Sequence, residues 1–210
     1  MCHFWVMLIK KPLIHIVRLC FMEHQSEQPQ ACVVSIHRPS LREFVFFFSC
    51  GFLVSIPFTL FFAQLYPYLP SILVLAVCAP FIEELAKVFP LFYRHGETER
   101  SIVTLGLLIG LGFGIAEFVL YVFFLRVNPL VRVGGVIFHA SSASITAFGI
   151  AKKKVLFYYL LAVGLHAVNN FFVTIAENFL ASFVGLLVLV TVFWLAWGVW
   201  HRASKNRVVV

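Results

Sequence analysis

Apolar positions in this chain run in long blocks, with little short-range alternation. Six blocks stand out, at residues 44–62, 71–92, 102–125, 134–150, 155–174 and 180–200. A helix needs about 20 apolar residues to cross a hydrocarbon layer of about 30 Å. A membrane strand would be shorter and would alternate apolar with polar side chains. The pattern therefore predicts an all-α fold, a polytopic membrane helix bundle of about six transmembrane helices. No Asp, Glu, Lys or Arg interrupts residues 44–82, 133–151 or 178–200. The membrane domain is placed at residues 41–202, with 203–210 as a cytoplasmic tail.

Residues 1–40 follow a different pattern and read as an N-terminal arm, interfacial or disordered. The apolar run 4–22 is broken by Lys10, Lys11, Pro12, His15 and Arg18. It predicts an amphipathic helix lying on the membrane, not a span or a signal peptide. Residues 23–40 are polar and predict irregular chain. No internal repeat is present, whereas inverted repeats would favour a secondary transporter.

Composition sharpens this picture. The 210 residues are 61% hydrophobic and 12% charged, against about 25% charged in soluble domains. So few charges cannot cover a water-facing surface, so most of the surface meets the lipid bilayer. The net charge of +7 would suggest nucleic acid in a soluble protein. Here the basic residues sit at the ends of apolar blocks, which points to membrane orientation and no nucleic-acid partner. Thirteen of the 16 Lys and Arg residues lie on one side of a six-span bundle, in the arm, the second and fourth loops and the tail. Arg126 and Arg132 lie on the other side. The positive-inside rule then places both termini in the cytoplasm. The five cysteines form no CxxC pair, so neither a disulfide framework nor a cysteine zinc site is indicated.

Six ionisable residues fall inside the blocks: Glu83, Glu84, Lys87, Glu117, His139 and His166. A charge at the bilayer centre costs about 2.5–3.5 kcal/mol on insertion scales. Residues retained at that cost normally face the bundle interior and serve a function. Glu83 and Lys87 are four apart and share a helix face. Gly106, Gly110 and Gly114 form a small-residue stripe for close helix packing, and Glu117 follows on nearly the same side. His166 and Asn170 are four apart on one face. Lys87 is placed to support the glutamate pair.

These residue types suit peptide hydrolysis. A carboxylate can take a proton from water, histidines can hold that water or a metal, and an Asn amide can donate to an oxyanion. Glu117, His139 and His166 also offer the three N/O ligands of an open zinc site, and a metal-free mechanism is equally compatible. The chain contains no Asp, no HExxH and no GxSxG, which excludes an aspartyl dyad and gives no sign of the other two protease types. Two non-proteolytic readings use the same residues: a scaffold or immunity protein of this architecture, and an ion or proton transporter.

The segments EELAK (83–87), GFGIAEFVLY (112–121), HASSASITAFG (139–149) and HAVNN (166–170) together resemble the PrsW family of intramembrane proteases. That family is grouped with the CAAX prenyl endopeptidases and bacteriocin-processing membrane proteins. Phe113 and Glu117 match a Phe-x-x-x-His motif with Glu in place of His, as in the PrsW branch. Phe118 stands where that pattern has a polar Asn. His166 and Asn170 match the His-x-x-x-Asn motif. The resemblance implies Glu83 or Glu84 as base, with Glu117, His139, His166 and Asn170 around the water. It also implies a membrane-anchored protein as substrate, such as a regulator cut in a site-1-type step.

Overall fold

The structure is a computed structural model that describes residues 15–18, 32–65, 67–94, 97–174 and 179–209. The chain divides into two compact units, Met1–His37 and Arg38–Val210. In the first unit, strand β1 (His15–Arg18) pairs antiparallel with β2 (Cys32–Ser35), with Ile16 opposite Val34 and Val17 opposite Val33. These β-branched residues favour a pleated ribbon. The amphipathic helix expected over 4–22 is therefore not formed at His15–Arg18, and the irregular chain expected over 23–40 is a strand at Cys32–Ser35. The rest of the 4–22 segment lies outside the described residues, apart from those four positions.

The second unit is helical. Helix α1 (Leu41–Leu65) follows Ser40, whose N and Oγ both donate to Glu43 Oε2 at 2.7 and 2.9 Å, so the Glu43 carboxylate satisfies a free backbone donor at the helix start. The passage that follows is helical but segmented. It comprises α2 (Ser71–Leu73), a π turn (Val74–Cys78), α3 (Ala79–Val88) and a 3₁₀ turn (Phe89–Tyr93). The apolar pattern predicts one span here, loosened at Pro80; Pro80 and Pro90 each remove a backbone donor, and the passage is segmented around them. Helix α4 (Glu99–Val119) begins at the Thr98 cap, whose side chain accepts from Ser101 N, and runs into a second π turn, Leu120–Phe124. Helices α5 (Pro129–Ala151), α6 (Val155–Thr174) and α7 (Phe179–Arg202) complete the bundle. Among the described residues, five helices are long and apolar enough to cross a membrane: Leu41–Phe62, Glu99–Phe124, Pro129–Ala151, Val155–Thr174 and Phe179–Arg202. The segmented passage 71–93 occupies the place of the sixth expected span.

Helix α4 is the axis of the unit. Its closest partner is α5, and α1 packs on its other side. Glycine makes both contacts possible. A Cβ at Gly110 would collide with the carbonyl of His139, and one at Gly114 would lie 2.7 Å from Val136 Cα. On the other face, Gly51 and Gly112 let α1 and α4 touch backbone to backbone. The α4–α5 approach sets Glu117 against His139, so the glycine stripe positions the site directly.

The segment after α7, expected as a tail, folds back on the start of α4. Glu99 N donates to Arg207 O at 3.0 Å, and Val209 N donates to Glu97 O at 2.8 Å. The Glu99 carboxylate accepts from Lys152 Nζ at 2.6 Å and from Ser204 N at 2.9 Å. This clasp ties α4, α5 and α7 together at one end of the bundle, opposite the site.

Candidate active site

Every ionisable residue singled out within the blocks is buried: Glu83, Glu84, Lys87, Glu117, His139 and His166. Four helices bring them together. Helix α3 supplies Glu83, Glu84 and Lys87; α4 supplies Glu117; α5 supplies His139; α6 supplies His166 and Asn170. The two histidine rings lie 5.2 Å apart and pack on Phe138, while Phe113 covers His139.

One hydrogen-bonded chain links the set. Lys87 Nζ donates to Glu84 Oε1 at 2.7 Å and to His139 Nδ1 at 2.6 Å. An ammonium has only protons to give, so His139 Nδ1 accepts and Nε2 carries the hydrogen. His139 Nε2 then donates to Glu117 Oε2 at 2.8 Å, an oxygen that also receives Arg132 at 3.1 Å. On the other branch, Glu84 Oε1 accepts from Ser142 Oγ at 3.1 Å and from His166 Nδ1 at 2.8 Å. With its hydrogen on Nδ1, His166 presents the lone pair of Nε2 toward Glu83 Oε2, 3.8 Å away. Two acceptors facing at that separation suit something that serves both, either a water donating to each or a cation taking both lone pairs.

The adjacent glutamates therefore have different surroundings. Glu84 is fully enclosed and collects three donors on one oxygen. Glu83 lines a cavity of about 130 Å³ together with Glu117, His139, His166 and Asn170, which has room for several waters. Glu84 and Lys87 do not line it.

Asn170 braces the passage that carries the glutamates. In the π turn, Ala79 N–H bonds Val74 O, five residues back. The next bond in that register would run from residue 80 to Leu75 O, but Pro80 has no N–H. Leu75 O instead accepts Asn170 Nδ2 from α6 at 2.9 Å. A second tie, Tyr159 Oη to Phe81 O at 2.7 Å, lies nearer the start of α6.

Three side chains at the site have little signal in the sequence. Ser142 reads there as a packing residue yet donates to Glu84. Arg132 reads as a topology marker yet pairs with Glu117 and stacks over Tyr121 at 3.8 Å. Thr59 of α1 reads as part of an apolar span yet lines the cavity.

A model of one protein family, described as PrsW family intramembrane metalloprotease, matches residues 39–197. The chain belongs to the PrsW family. As a member it is a multi-pass integral membrane protein and a peptidase. No curated protein and no solved structure matches it.

The PrsW family is named for metal chemistry, and the donors present can be tested for it. Glu83, His139 and His166 are buried and offer ligand atoms all within 4.8 Å of one another. Their types, one carboxylate and two imidazoles, suit zinc, and the Glu84–His166 bond is the kind of support that orients a ligating histidine. The set can hold a metal ion. Glu83 stands here in the place expected for Glu117, which the structure instead bonds to His139 Nε2 and Arg132. For His139 to ligate through Nδ1, Lys87 must release that lone pair.

Proposed function

We propose that this PrsW-family chain hydrolyses a peptide bond in a membrane-anchored protein, with Glu83 as the general base. The observation that carries this reading is the division of labour between adjacent carboxylates: Glu83 faces the cavity and His166 Nε2, while Glu84 is consumed by Lys87, Ser142 and His166. A water donating to Glu83 gives up its proton as its oxygen attacks the substrate carbonyl carbon. That proton then passes from Glu83 to the departing amine as the C–N bond breaks. His166 holds the water through Nε2, with its tautomer fixed by Glu84. Lys87 and Glu117 hold His139 in one orientation. Asn170 uses one amide hydrogen on Leu75 O and keeps a second for the developing oxyanion. A metal ion held by Glu83, His139 and His166 would acidify water or polarise the carbonyl.

A metal-free variant of this reading is favoured by one contact, Lys87 Nζ on His139 Nδ1 at 2.6 Å. Chelation followed by elemental analysis separates the two. Activity lost with the metal and restored by zinc assigns an ion to the set. Activity unchanged in metal-free protein assigns the water to hydrogen bonds alone.

The cut is placed near the non-cytoplasmic boundary. Glu117 and His166 lie roughly eight residues from the ends of their spans, at Phe124 beyond the π turn that continues α4 and at Thr174 of α6, about 12 Å at 1.5 Å per residue. Tyr121, Arg132 and Thr174 line the cavity toward that end, and the basic residues 152–154 lie at the other. Reporter fusions after Lys154 and Arg207 are expected on the cytoplasmic side and a fusion after Asn128 on the opposite side. Mass spectrometry of single-span substrates cleaved by the purified protein is expected to place the cut in the outer third of the span. A cut in the cytoplasmic half, or Asn128 on the same side as Lys154, contradicts this reading.

A further inference from the structure

Helix α6 carries two adjacent amides at the site, and the proposed reaction uses one of them. Asn169 and Asn170 follow His166 by three and four positions, so both lie near the His166 side of the helix. Asn170 has its Nδ2 on Leu75 O at 2.9 Å, and its Oδ1 accepts Asn169 Nδ2 at 3.4 Å. Asn169 is half-buried and lines the same cavity as Glu83 and His166. Its Oδ1 accepts no hydrogen bond among the described residues, yet it is not sealed off, unlike the enclosed and unpartnered Thr59 Oγ1 and Arg132 Nε. A contact of 3.4 Å holds the side chain only lightly. The amide oxygen and one amide hydrogen therefore remain open to the cavity.

An open acceptor has a use there. A helical substrate must give up local hydrogen bonds before water reaches its carbonyl carbon, and hydrocarbon offers no partner to the N–H groups this bares. The nearby carboxylates are engaged: Glu83 faces the reacting water, and Glu117 Oε2 receives His139 and Arg132. A neutral amide oxygen can take a neutral N–H without desolvating a charge. Its place also suits the reaction. Asn169 lies three residues beyond His166 toward Thr174, about 4.5 Å along the axis at 1.5 Å per residue. An extended chain advances about 3.3–3.6 Å per residue. The substrate N–H that meets Asn169 thus lies about one or two residues from the bond that meets Glu83.

We infer that Asn169 is a specificity-determining residue whose Oδ1 accepts one backbone N–H of the unwound substrate, on the Thr174 side of the scissile bond. The bond holds the substrate strand in register with Glu83 and Asn170. A proline at that substrate position has no N–H to give and is selected against. This inference rests on the proposed proteolytic reading of the cavity.

The test uses full-length protein in lipid nanodiscs and fluorescent peptides with a single span of about 20 apolar residues, broken by Gly-Gly to ease unwinding. In a matched set, one backbone amide at a time is replaced by an ester, which removes a single N–H, at each of the three peptide bonds on either side of the break. Binding is read in the Glu83→Gln protein, so that no cleavage intrudes, with Asn169 intact or changed to Ala or to Leu. Leu keeps the volume of the side chain and favours the helix. Both changes are expected to weaken binding of the all-amide peptide about two- to tenfold, the effect of one hydrogen bond. One ester is expected to weaken binding to intact Asn169 by a similar factor and to abolish the difference between Asn169 and its variants. Unchanged affinity in both variants overturns the inference, as does a loss that persists on every ester or a failure of intact Asn169 to bind any peptide. If the ester pattern appears as expected but protein with native Glu83 cleaves no peptide, the proteolytic reading fails while the Asn169 contact stands.

Discussion

Lys87→Met is expected to destabilise the protein by about 3–5 kcal/mol, the usual consequence of removing one partner from a buried ion pair. Lys87 is fully buried, and its ammonium is shared between Glu84, at 2.7 Å, and His139, at 2.6 Å. It also sits 4.6 Å from the centre of the Phe113 ring. Met fills the volume but leaves Glu84 as an enclosed carboxylate with only Ser142 and His166 to oppose its charge. It also leaves His139 Nδ1 without its donor, so the ring is held only by the Glu117 bond at Nε2. Folding and activity should therefore fall together. The double variant Lys87→Met with Glu84→Gln removes the uncompensated charge and is expected to recover a large part of the lost stability. Thermal unfolding of the purified proteins in one detergent checks both expectations. A single variant that melts within a degree or two of wild type would show that the Lys87–Glu84 pair does not hold these helices together.

The parts of this fold set by local pattern are legible in the sequence. The long helices follow from uninterrupted apolar blocks, and the small-residue stripe 106, 110, 114 announces the close α4–α5 contact that the structure realises against His139 and Val136. Other features depend on contacts that no single segment encodes. Pro80 signals a disturbed helix, but the π turn is completed by Asn170, some 90 residues on, when it takes over Leu75 O. Helix rotation decides that Glu83, and not Glu117, shares a 4.8 Å set with the two histidines. Both glutamates carry the same chemistry, so spacing cannot rank them. Ser142 is hidden among small residues that all look like packing, and Arg132 among cations that all look like topology signals. The ribbon of β1 and β2 is obscured because Lys10, Lys11, Pro12 and Arg18 give residues 4–22 the look of an interfacial helix. The clasp of residues 203–209 on Glu97–Arg100 is likewise invisible, since its acceptor, Glu99, lies more than 100 positions earlier in the chain.

Glu83, and no other carboxylate, is expected to take the proton from the attacking water. Glu83→Gln keeps the side chain's size and its place beside the cavity but removes the base. Among the described residues, its side chain pairs with His166 at 3.8 Å, beyond hydrogen-bond distance, so the fold has little to lose. General-base catalysis contributes about 10²–10⁴ in rate, and Glu83→Gln is expected to lose cleavage by that factor with an unchanged melting temperature. Glu84→Gln is expected to behave differently. It lowers stability by unpairing Lys87 and loosening His166, and its activity falls with the folded fraction. The most direct measurement is single-turnover cleavage of one single-span substrate by wild type, Glu83→Gln and Glu84→Gln, each at saturating enzyme and matched for folded protein. The account requires cleavage to be lost in Glu83→Gln while that protein stays folded and binds the substrate; cleavage by Glu83→Gln at the wild-type rate would contradict it.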